Sequence, residues 1–352
     1  MMNNNSFRGI ITRGVGGLYG VRIKTNDGYA PEEVLCRARG AFRHEQLTPT
    51  VGDDVAVKPL ADYNPDEIKQ EEDGHDKHKG KAKDVQVDFV IDEILPRRSI
   101  MIRPALSNLD YLFAVIPAAS PEPDLLTADK LTVIAENYGI ETVVVINKAD
   151  IAPERAREIA EIYKTAGYSV FMLSAASGEG VGELMNYIKS VSAQKDGREH
   201  VSGAFAGVSG AGKSTLMTAL FPHLELTTGK VSRKTERGRH TTRHVELYPI
   251  ELDGNTFWLA DTPGFSMLDF TRFNFFPYDE LAGSFREFDD CIGKCRYTKC
   301  THLREEGCAV IEKMNNGKIS PSRHDSYVRI FEEQRSVPEW KRRRMTEKQL
   351  SL

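Results

Sequence analysis

A glycine-rich segment, Gly207–Thr215, constrains the fold of this chain more than any other feature. It reads Gly-Val-Ser-Gly-Ala-Gly-Lys-Ser-Thr and fits the phosphate-loop pattern G-x-x-x-x-G-K-[ST]. The short apolar stretch Ser202–Ala206 before it has the pattern of a buried strand, and Thr215–Phe221 has that of a helix start. Glycine lets successive backbone N–H groups point at one anion, and the helix N-terminus adds partial positive charge. The segment therefore predicts a nucleotide-binding α/β domain.

Each residue type in this loop has an expected role. Lys213 is expected to reach the β- and γ-phosphates, and the Ser214 hydroxyl to bind Mg²⁺. A glycine-rich turn with an accidental Lys-Ser pair is the alternative, and the flanking strand and helix argue against it. The candidate phosphate-binding residues are Gly207, Val208, Ser209, Gly210, Ala211, Gly212, Lys213, Ser214 and Thr215.

Apolar strands and helical patterns alternate from about Leu109 to Phe270, which predicts a mainly parallel sheet. The strand Thr142–Ile146 ends in Asn147-Lys148-Ala149-Asp150. The Asp150 carboxylate can accept hydrogen bonds from two donors on the edge of guanine, and adenine offers neither donor there. Ser174-Ala175-Ala176, after a later strand, suits the loop that lines the edge of the base. These segments predict GTP and GDP as ligands.

Two segments downstream of the phosphate loop have the composition of nucleotide switches. Asp261 follows the apolar strand Thr256–Ala260 and is expected to hold the Mg²⁺ shell, while the Gly264 N–H meets the γ-phosphate. Either Thr241 or Thr242 would close over the metal in the triphosphate state.

The residue that orients the attacking water is not at its usual position. Ras-like switches place a glutamine directly after this glycine, and here Phe265 stands there. His240 is the candidate catalytic residue, because an imidazole beside Thr241 can hydrogen-bond a water. The alternative is that His240 contacts RNA from a basic loop.

Short alternating strands between Phe7 and about Pro96 predict a small barrel of the oligonucleotide-binding (OB) type. The strands are Phe7–Arg13, Leu18–Ile23, Glu33–Arg39, Asp54–Val57 and Val87–Ile91. Cations and aromatic residues interleave on the early strands, as a nucleic-acid surface requires, although an ordinary solvated face is the alternative. The RNA-binding candidates on the barrel are Arg37, Arg39 and Arg43. Ala61–Asp84 holds eight acids and five lysines and is expected to be a flexible charged loop.

Four of the five cysteines lie between Cys291 and Cys308. The spacing Cys295-x₄-Cys300-x-His302-x₅-Cys308 suits a tetrahedral structural zinc site, with Cys291 as a possible competitor. Beyond this cluster, a run of four cations follows Trp340 and suits a phosphate backbone, or is simply a solvated helix end. These cations are Lys341, Arg342, Arg343 and Arg344.

Composition narrows the class of protein. A chain of 352 residues predicts two or three domains, and a formal charge of −4 requires that any nucleic-acid surface be local. No apolar run approaches a membrane span, and the first residues lack an apolar signal core, so we expect no membrane partner. Clustered cysteines indicate a metal site in a reducing compartment, and we expect a cytoplasmic protein.

The order of the motifs is unusual, because the base-reading motif precedes the phosphate loop. Such an order is a circular permutation, which a sheet with neighbouring natural ends permits. Together with the barrel and the cysteine cluster, this order resembles the small ribosomal subunit–dependent GTPase A (RsgA) family over about Phe7 to Phe331. The resemblance implies a multidomain α/β chain: an OB-fold barrel over residues 1–97, a circularly permuted P-loop GTPase domain with a mainly parallel sheet over 98–272, and an α-helical zinc-binding domain over 273–352.

The resemblance also implies a function. Members dock on the 30S subunit, contact 16S rRNA, and hydrolyse GTP to release themselves late in subunit maturation; we expect a monomer. The family's spacing matches Cys295 and leaves Cys291 spare. The alternative function is an RNA-binding assembly chaperone gated by guanine nucleotide, with incidental turnover. The departures from the family pattern are the loop Ala61–Asp84 and Ala128-Asp129-Lys130, where the family usually carries Leu-Asp-Arg.

Overall fold

The computed structural model describes residues 6–26, 28–40, 42, 47–62, 87–101, 105–194, 197–224, 245–261 and 277–340. The strands are β1 Phe7–Val15, β2 Leu18–Thr25, β3 Gly28–Tyr29, β4 Val34–Ala38, β5 Asp54–Pro59, β6 Phe89–Ile94, β7 Ile100–Met101, β8 Leu106–Ser107, β9 Tyr111–Pro117, β10 Glu141–Asn147, β11 Ser169–Met172, β12 Val201–Ala206, β13 Glu246–Leu252 and β14 Asn255–Asp261. The α-helices are α1 Leu125–Asn137, α2 Pro153–Thr165, α3 Val181–Ala193, α4 Lys213–Leu220, α5 Ala309–Asn315 and α6 Pro321–Ser336.

The N-terminal strands form a small closed barrel, as predicted. β1 pairs with both β2 and β5, β6 joins β5 to β4, and β4 pairs back with β2. Closure removes the exposed edges that a short open sheet would present. Cys36 on β4 is fully buried inside it. Most of the charged segment Ala61–Asp84 lies outside the described residues.

The central sheet has the order β11-β10-β9-β12-β14-β13. Its strands are parallel except β13, which runs antiparallel to β14 and places Glu246 opposite Asp261. Carboxyl ends of parallel strands meet at one edge, so Asn147, Asp261 and the phosphate-loop strand β12 end on the same side. The sequence pattern does not indicate β13, because Pro249 is atypical of a strand interior.

The barrel continues this sheet, because β1 pairs with β13 at Arg13 and Glu246. Neighbouring residues of β14 face opposite sides: Phe257 packs in the core beneath α3 and α4, whereas Trp258 packs on the other side. The Trp258 core also contains residues of the barrel and of the C-terminal segment, such as Ile10 and Phe285. One hydrophobic core therefore joins all three parts of the chain.

The C-terminal segment is helical, as predicted. Two short 3₁₀-helices, Tyr278–Ser284 and Arg286–Phe288, precede the cysteine cluster, and α5 and α6 follow it. No helix among the described residues is both long and apolar enough to cross a bilayer.

Candidate nucleotide site and metal centre

The phosphate loop connects the buried strand β12 to α4. Gly207, Gly210 and Gly212 have φ angles of 149°, 80° and 89°, a region that favours glycine. A Cβ on Gly207 would lie 2.2 Å from the Val115 carbonyl oxygen of the neighbouring strand. Glycine is thus required here both for conformation and for close packing.

Lys213 begins α4, and its ammonium group folds back over the loop. Its Nζ donates to the carbonyl oxygens of Gly207 (2.8 Å) and Val208 (2.9 Å). Burial lowers the pKa of Lys213, because the two carbonyl oxygens do not fully replace the water that the charged ammonium loses. An incoming phosphate would supply a stronger acceptor than these carbonyls. Ser214 and Thr215, in the first turn of α4, are exposed.

Asn147 connects the three predicted nucleotide-binding segments. Its Nδ2 donates to the Ala211 carbonyl in the phosphate loop (2.9 Å), and its Oδ1 accepts from the Ala175 N–H (3.0 Å) and the Lys148 N–H (2.8 Å). The side chain is almost fully buried, so these bonds are shielded from water. A phosphate loop, a base-reading motif and a base-edge loop that are distant in sequence are therefore in direct contact.

Lys148 makes a second connection, which the sequence analysis missed in part. Its Nζ donates to the Gly210 carbonyl (2.9 Å) and to the Ser120 carbonyl. Ser120 lies after β9, and the neighbouring Pro121 packs 3.3 Å from the position of a Cβ on Gly210. The position of Ser120 just after the carboxyl end of the parallel strand β9 is the sequence signal that could have indicated this contact, because ligands bind at that end of such sheets.

The residues expected at the base are partly exposed and partly buried. Asp150 and Ala176 are exposed, while Ser174 and Ala175 are buried, with the Ser174 N–H bonded to the Glu179 carbonyl (2.9 Å). An exposed carboxylate beside a buried, rigid scaffold can meet the edge of an incoming base.

Asp261 ends β14, which lies directly beside β12, the strand that leads into the phosphate loop. Ala260 pairs in register with Ala204 on β12, which fixes this placement. The other predicted switch residues, His240, Thr241, Thr242 and Gly264, lie outside the described residues.

The four predicted zinc ligands are brought together. The ligand atoms of Cys295, Cys300, His302 and Cys308 all lie within 4.8 Å of one another. His302 Nδ1 is 3.5 Å from the Cys295 Sγ and 3.4 Å from the Cys308 Sγ, and these two sulfurs are 4.0 Å apart. A tetrahedral zinc site with bonds of about 2.3 Å to sulfur and 2.0 Å to nitrogen requires spacings of about 3.5 to 3.8 Å. The cluster could therefore hold such a metal ion.

The electrostatics of the cluster favour a bound cation. Burial raises the pKa of Cys300 to about 12 and also raises that of Cys308, so thiolates need a compensating positive charge here. Burial lowers the pKa of His302, which favours the neutral imidazole that binds metals. The fourth thiol in this region, Cys291, is buried and is directed at the Ala309 carbonyl (3.6 Å).

A carboxylate organises the loop that carries two of the ligands. Glu305 accepts from the Thr301 N–H (2.8 Å), the Leu303 N–H (2.9 Å) and the Arg304 N–H (3.0 Å). Tyr327 of α6 donates to the Thr301 carbonyl (2.8 Å). The loop is thus shaped by protein contacts as well as by any ion.

The RNA-binding candidates are only partly described. Arg37 and Arg39 lie at the end of β4 and are half-buried, and Arg39 is 3.6 Å from Asp92. Arg43 and the run Lys341–Arg344 lie outside the described residues. Two other barrel cations, Arg8 and Lys24, pair with Glu199 just before β12. Those two therefore contribute to the contact between the barrel and the GTPase-like sheet.

Comparison with known proteins agrees with this geometry. A family model described as RsgA GTPase matches residues 94–271, and one described as the RsgA N-terminal domain matches residues 8–64. The small ribosomal subunit biogenesis GTPase RsgA of Ruminiclostridium cellulolyticum is 35% identical over 334 residues, covering 95% of each chain. Its namesake from Caldanaerobacter subterraneus is 36% identical over 338 residues, covering 96% of this chain and 98% of that one.

Solved structures show the same architecture. YjeQ from Thermotoga maritima superposes with a TM-score of 0.68 at 30% identity, covering 95% of this chain and all of that one (100%). YloQ, described as a circularly permuted GTPase, gives a TM-score of 0.67 at 27% identity, covering 95% and 96%. The permuted motif order, the barrel and the coverage of almost the whole chain lead to one conclusion: the chain belongs to the RsgA family of circularly permuted GTPases.

Proposed function

We propose that this chain binds the small ribosomal subunit, hydrolyses GTP there, and is released by hydrolysis late in subunit maturation. The observation that carries the proposal is the contact of Asn147 with both Ala211 and Ala175, because it supports one continuous guanine-nucleotide site. The relatives named for small-subunit biogenesis over nearly their whole length supply the partner.

The chain's own residues have distinct tasks in this proposal. Asp150 reads the guanine edge, Lys213 leaves the loop carbonyls for the β- and γ-phosphates, and the loop N–H groups from Gly207 to Thr215 hold the phosphate oxygens. Ser214, Asp261 and one of Thr241 and Thr242 would hold Mg²⁺, which neutralises phosphate charge during the reaction. The Gly264 N–H would meet the γ-phosphate.

His240 is proposed to orient the attacking water. Phe265 can neither donate nor accept a hydrogen bond, so another group must do so. We expect His240→Ala to keep GTP affinity and subunit binding, but to lower subunit-stimulated hydrolysis about 10²-fold or more. Hydrolysis in the variant within twofold of wild type would assign the water to the ribosome instead.

The barrel and the C-terminal tail are proposed to contact 16S rRNA. Arg37, Arg39, Arg43 and the run Lys341–Arg344 supply cations for the phosphate backbone. Neutralising the three barrel arginines should lower the salt dependence of log K by about one unit for each lost phosphate contact. If affinity and slope both stay unchanged, the barrel is not the RNA face.

The Cys₃His cluster is proposed to bind one structural zinc ion. Its spacings fit a tetrahedral site, and the raised pKa values of Cys300 and Cys308 mean that these thiols need a nearby cation to ionise. Zinc would cross-link the segment from Cys295 to Cys308, which packs against the apolar core that includes Phe288 and Tyr327.

The deciding experiment measures GTP turnover by the purified chain with and without small subunits. A turnover that rises steeply with small subunits, and does not rise with large subunits, supports the proposed function. Binding to small subunits without any rise in turnover would instead support a nucleotide-gated RNA chaperone.

A further inference from the structure

A buried ion triad joins the GTPase domain to the C-terminal domain. Arg323 of α6 donates to Asp129 of α1 (Nη1 to Oδ1, 2.6 Å) and to both oxygens of Glu287 (2.7 and 3.2 Å). Its Nη1 also donates to the Thr132 hydroxyl (3.1 Å). The side chains of Arg323 and Asp129 are each 1% exposed, and that of Glu287 is 2% exposed. We call Asp129, Glu287 and Arg323 the Arg323 joint.

Aromatic rings enclose the joint and keep it dry. The guanidinium carbon lies 4.7 Å from the ring centroid of Phe285 and 5.5 Å from that of Tyr168. Tyr163 donates its hydroxyl hydrogen to Asp129 (2.8 Å). Burial on its own lowers the pKa of Arg323, but Asp129 and Glu287 outweigh it and hold that pKa well above its ordinary value. The guanidinium therefore stays charged.

Stability alone does not account for such a joint. The free energy needed to remove three charged groups from water offsets much of their electrostatic attraction. Well-packed apolar residues therefore often replace buried ion pairs without loss of stability. A planar guanidinium that binds two carboxylates from different segments is directional, however, and an apolar contact is not. The joint therefore favours one relative orientation of the two domains.

Three further ion pairs surround the joint on the same interface. Lys130 of α1 pairs with Glu333 of α6 (2.6 Å). Arg286 pairs with Glu141 at the start of β10 (2.7 Å) and also with Glu136 at the end of α1. The lysine at position 130, a departure from the family pattern, thus still contributes a cation to this interface.

We propose that the Arg323 joint fixes the orientation of the metal-cluster domain on the GTPase sheet, and that small-subunit-stimulated hydrolysis needs this fixed orientation. The proposal rests on the proposed function. If the metal-cluster domain is held in one orientation, a displacement of it on docking also moves the sheet strands that end in Asn147 and Asp261. If the domain can rotate, the same displacement does not reach those strands.

The test replaces the joint by apolar residues: Asp129→Leu, Glu287→Met and Arg323→Met together, with Tyr163→Phe because the Tyr163 hydroxyl donates to Asp129. We expect the melting temperature to stay near the wild-type value, because apolar residues often replace buried ion pairs without loss of stability. We expect intrinsic GTP hydrolysis to stay near the wild-type value as well, because no substituted residue contacts the nucleotide site. We expect subunit-stimulated hydrolysis to fall about tenfold or more, the scale typical of a lost coupling between sites.

A second readout reports orientation without the ribosome. Spin labels carried by unnatural amino acids replace Lys164 of the GTPase domain and Lys318 of the C-terminal domain, which are both exposed. Double electron–electron resonance then gives the distribution of distances between the two labels. Wild type should give one narrow peak, and the apolar variant a broadened one. The conservative Arg323→Lys, which keeps the charge but loses the fork, should broaden the peak less, and its result decides the question if the apolar variant fails to fold.

The outcomes are distinct. An unchanged distance distribution in both variants overturns the inference. A broadened distribution with wild-type stimulation also overturns it, because orientation would then not be needed. A wild-type chain that small subunits do not stimulate overturns the proposed function, and the inference falls with it even if the distribution broadens.

Discussion

At the scale of single residues, the nucleotide site depends on side chains that hold the loops together as much as on those that meet the ligand. Asn147 uses its amide for hydrogen bonds within the protein, and the exposed Asp150 is the residue proposed to meet the base. Loss of such buried hydrogen bonds is strongly destabilising, because each donor or acceptor is left without a partner. The site is therefore organised before a nucleotide arrives.

Gly212 provides a test of this organisation. A Cβ there would lie 2.3 Å from the Asn147 Nδ2, and the φ angle of 89° already disfavours any other residue. We expect Gly212→Ala to lower GTP affinity at least about tenfold, since it must displace Asn147 from the loop. Isothermal titration with GTP and GDP measures this.

The matched control is Gly178→Ala. Gly178 has a similar φ angle of 86°, but nothing lies within 4 Å of its Cβ position. That variant carries the backbone strain without the clash, so its nucleotide affinity should stay close to wild type. Equal losses in both variants would mean that strain, and not Asn147, accounts for the effect.

At the scale of elements, the metal cluster tests the assignment of ligands. Cys300 is one of four ligand atoms within 4.8 Å, whereas Cys291 is directed at the Ala309 carbonyl. We expect Cys300→Ser to lose zinc and to lower the melting temperature of the C-terminal domain, because metal binding and folding are coupled. Cys291→Ser should retain one equivalent of zinc by elemental analysis.

The opposite pattern would reassign the site. Zinc kept at full occupancy in Cys300→Ser, together with its loss in Cys291→Ser, would place Cys291 among the ligands.

Much of this element-scale structure follows from the sequence. Alternating patterns located the barrel strands and most of the sheet, because period and turn residues are local signals. β13 was missed because Pro249 is unfavourable in a strand interior. In the structure Pro249 pairs with Trp258 of β14, whereas β1 pairs with β13 at Glu246. The contact of Lys148 with Ser120 joins two loops that are distant in sequence, and no local pattern reports it.

At the scale of the whole molecule, the sequence predicted three domains but not how they join. The core around Trp258 contains residues from the barrel, the sheet and the C-terminal domain, and Tyr29 of the barrel packs edge-on against Trp258 at 5.0 Å. Arg8 and Lys24 of the barrel both pair with Glu199, which lies just before β12. Contacts between domains depend on tertiary placement, which residue spacing does not encode.

The circular permutation gives these junctions a direct relation to the nucleotide. Asp261 ends the last strand of the sheet, and the chain then continues to the C-terminal domain at Pro277. Glu246, opposite Asp261, is also where β1 of the barrel pairs with the sheet. Both flanking domains are thus attached beside the residue proposed to hold the Mg²⁺ shell.

We propose that hydrolysis of guanine nucleotide in this site releases the chain from the small subunit. The most direct measurement is co-sedimentation with small subunits, comparing wild type with Asp150→Asn in GTP, xanthosine triphosphate and non-hydrolysable analogues of each. An amide at position 150 suits the xanthine oxygen in place of the guanine amine, and the exposed position makes the exchange structurally mild. We predict that wild type leaves the subunit in GTP and stays bound in its analogue, and that the variant does so with the xanthine nucleotides instead. Release of the variant by GTP at the wild-type rate, or wild type that stays bound after hydrolysis, would contradict this proposal.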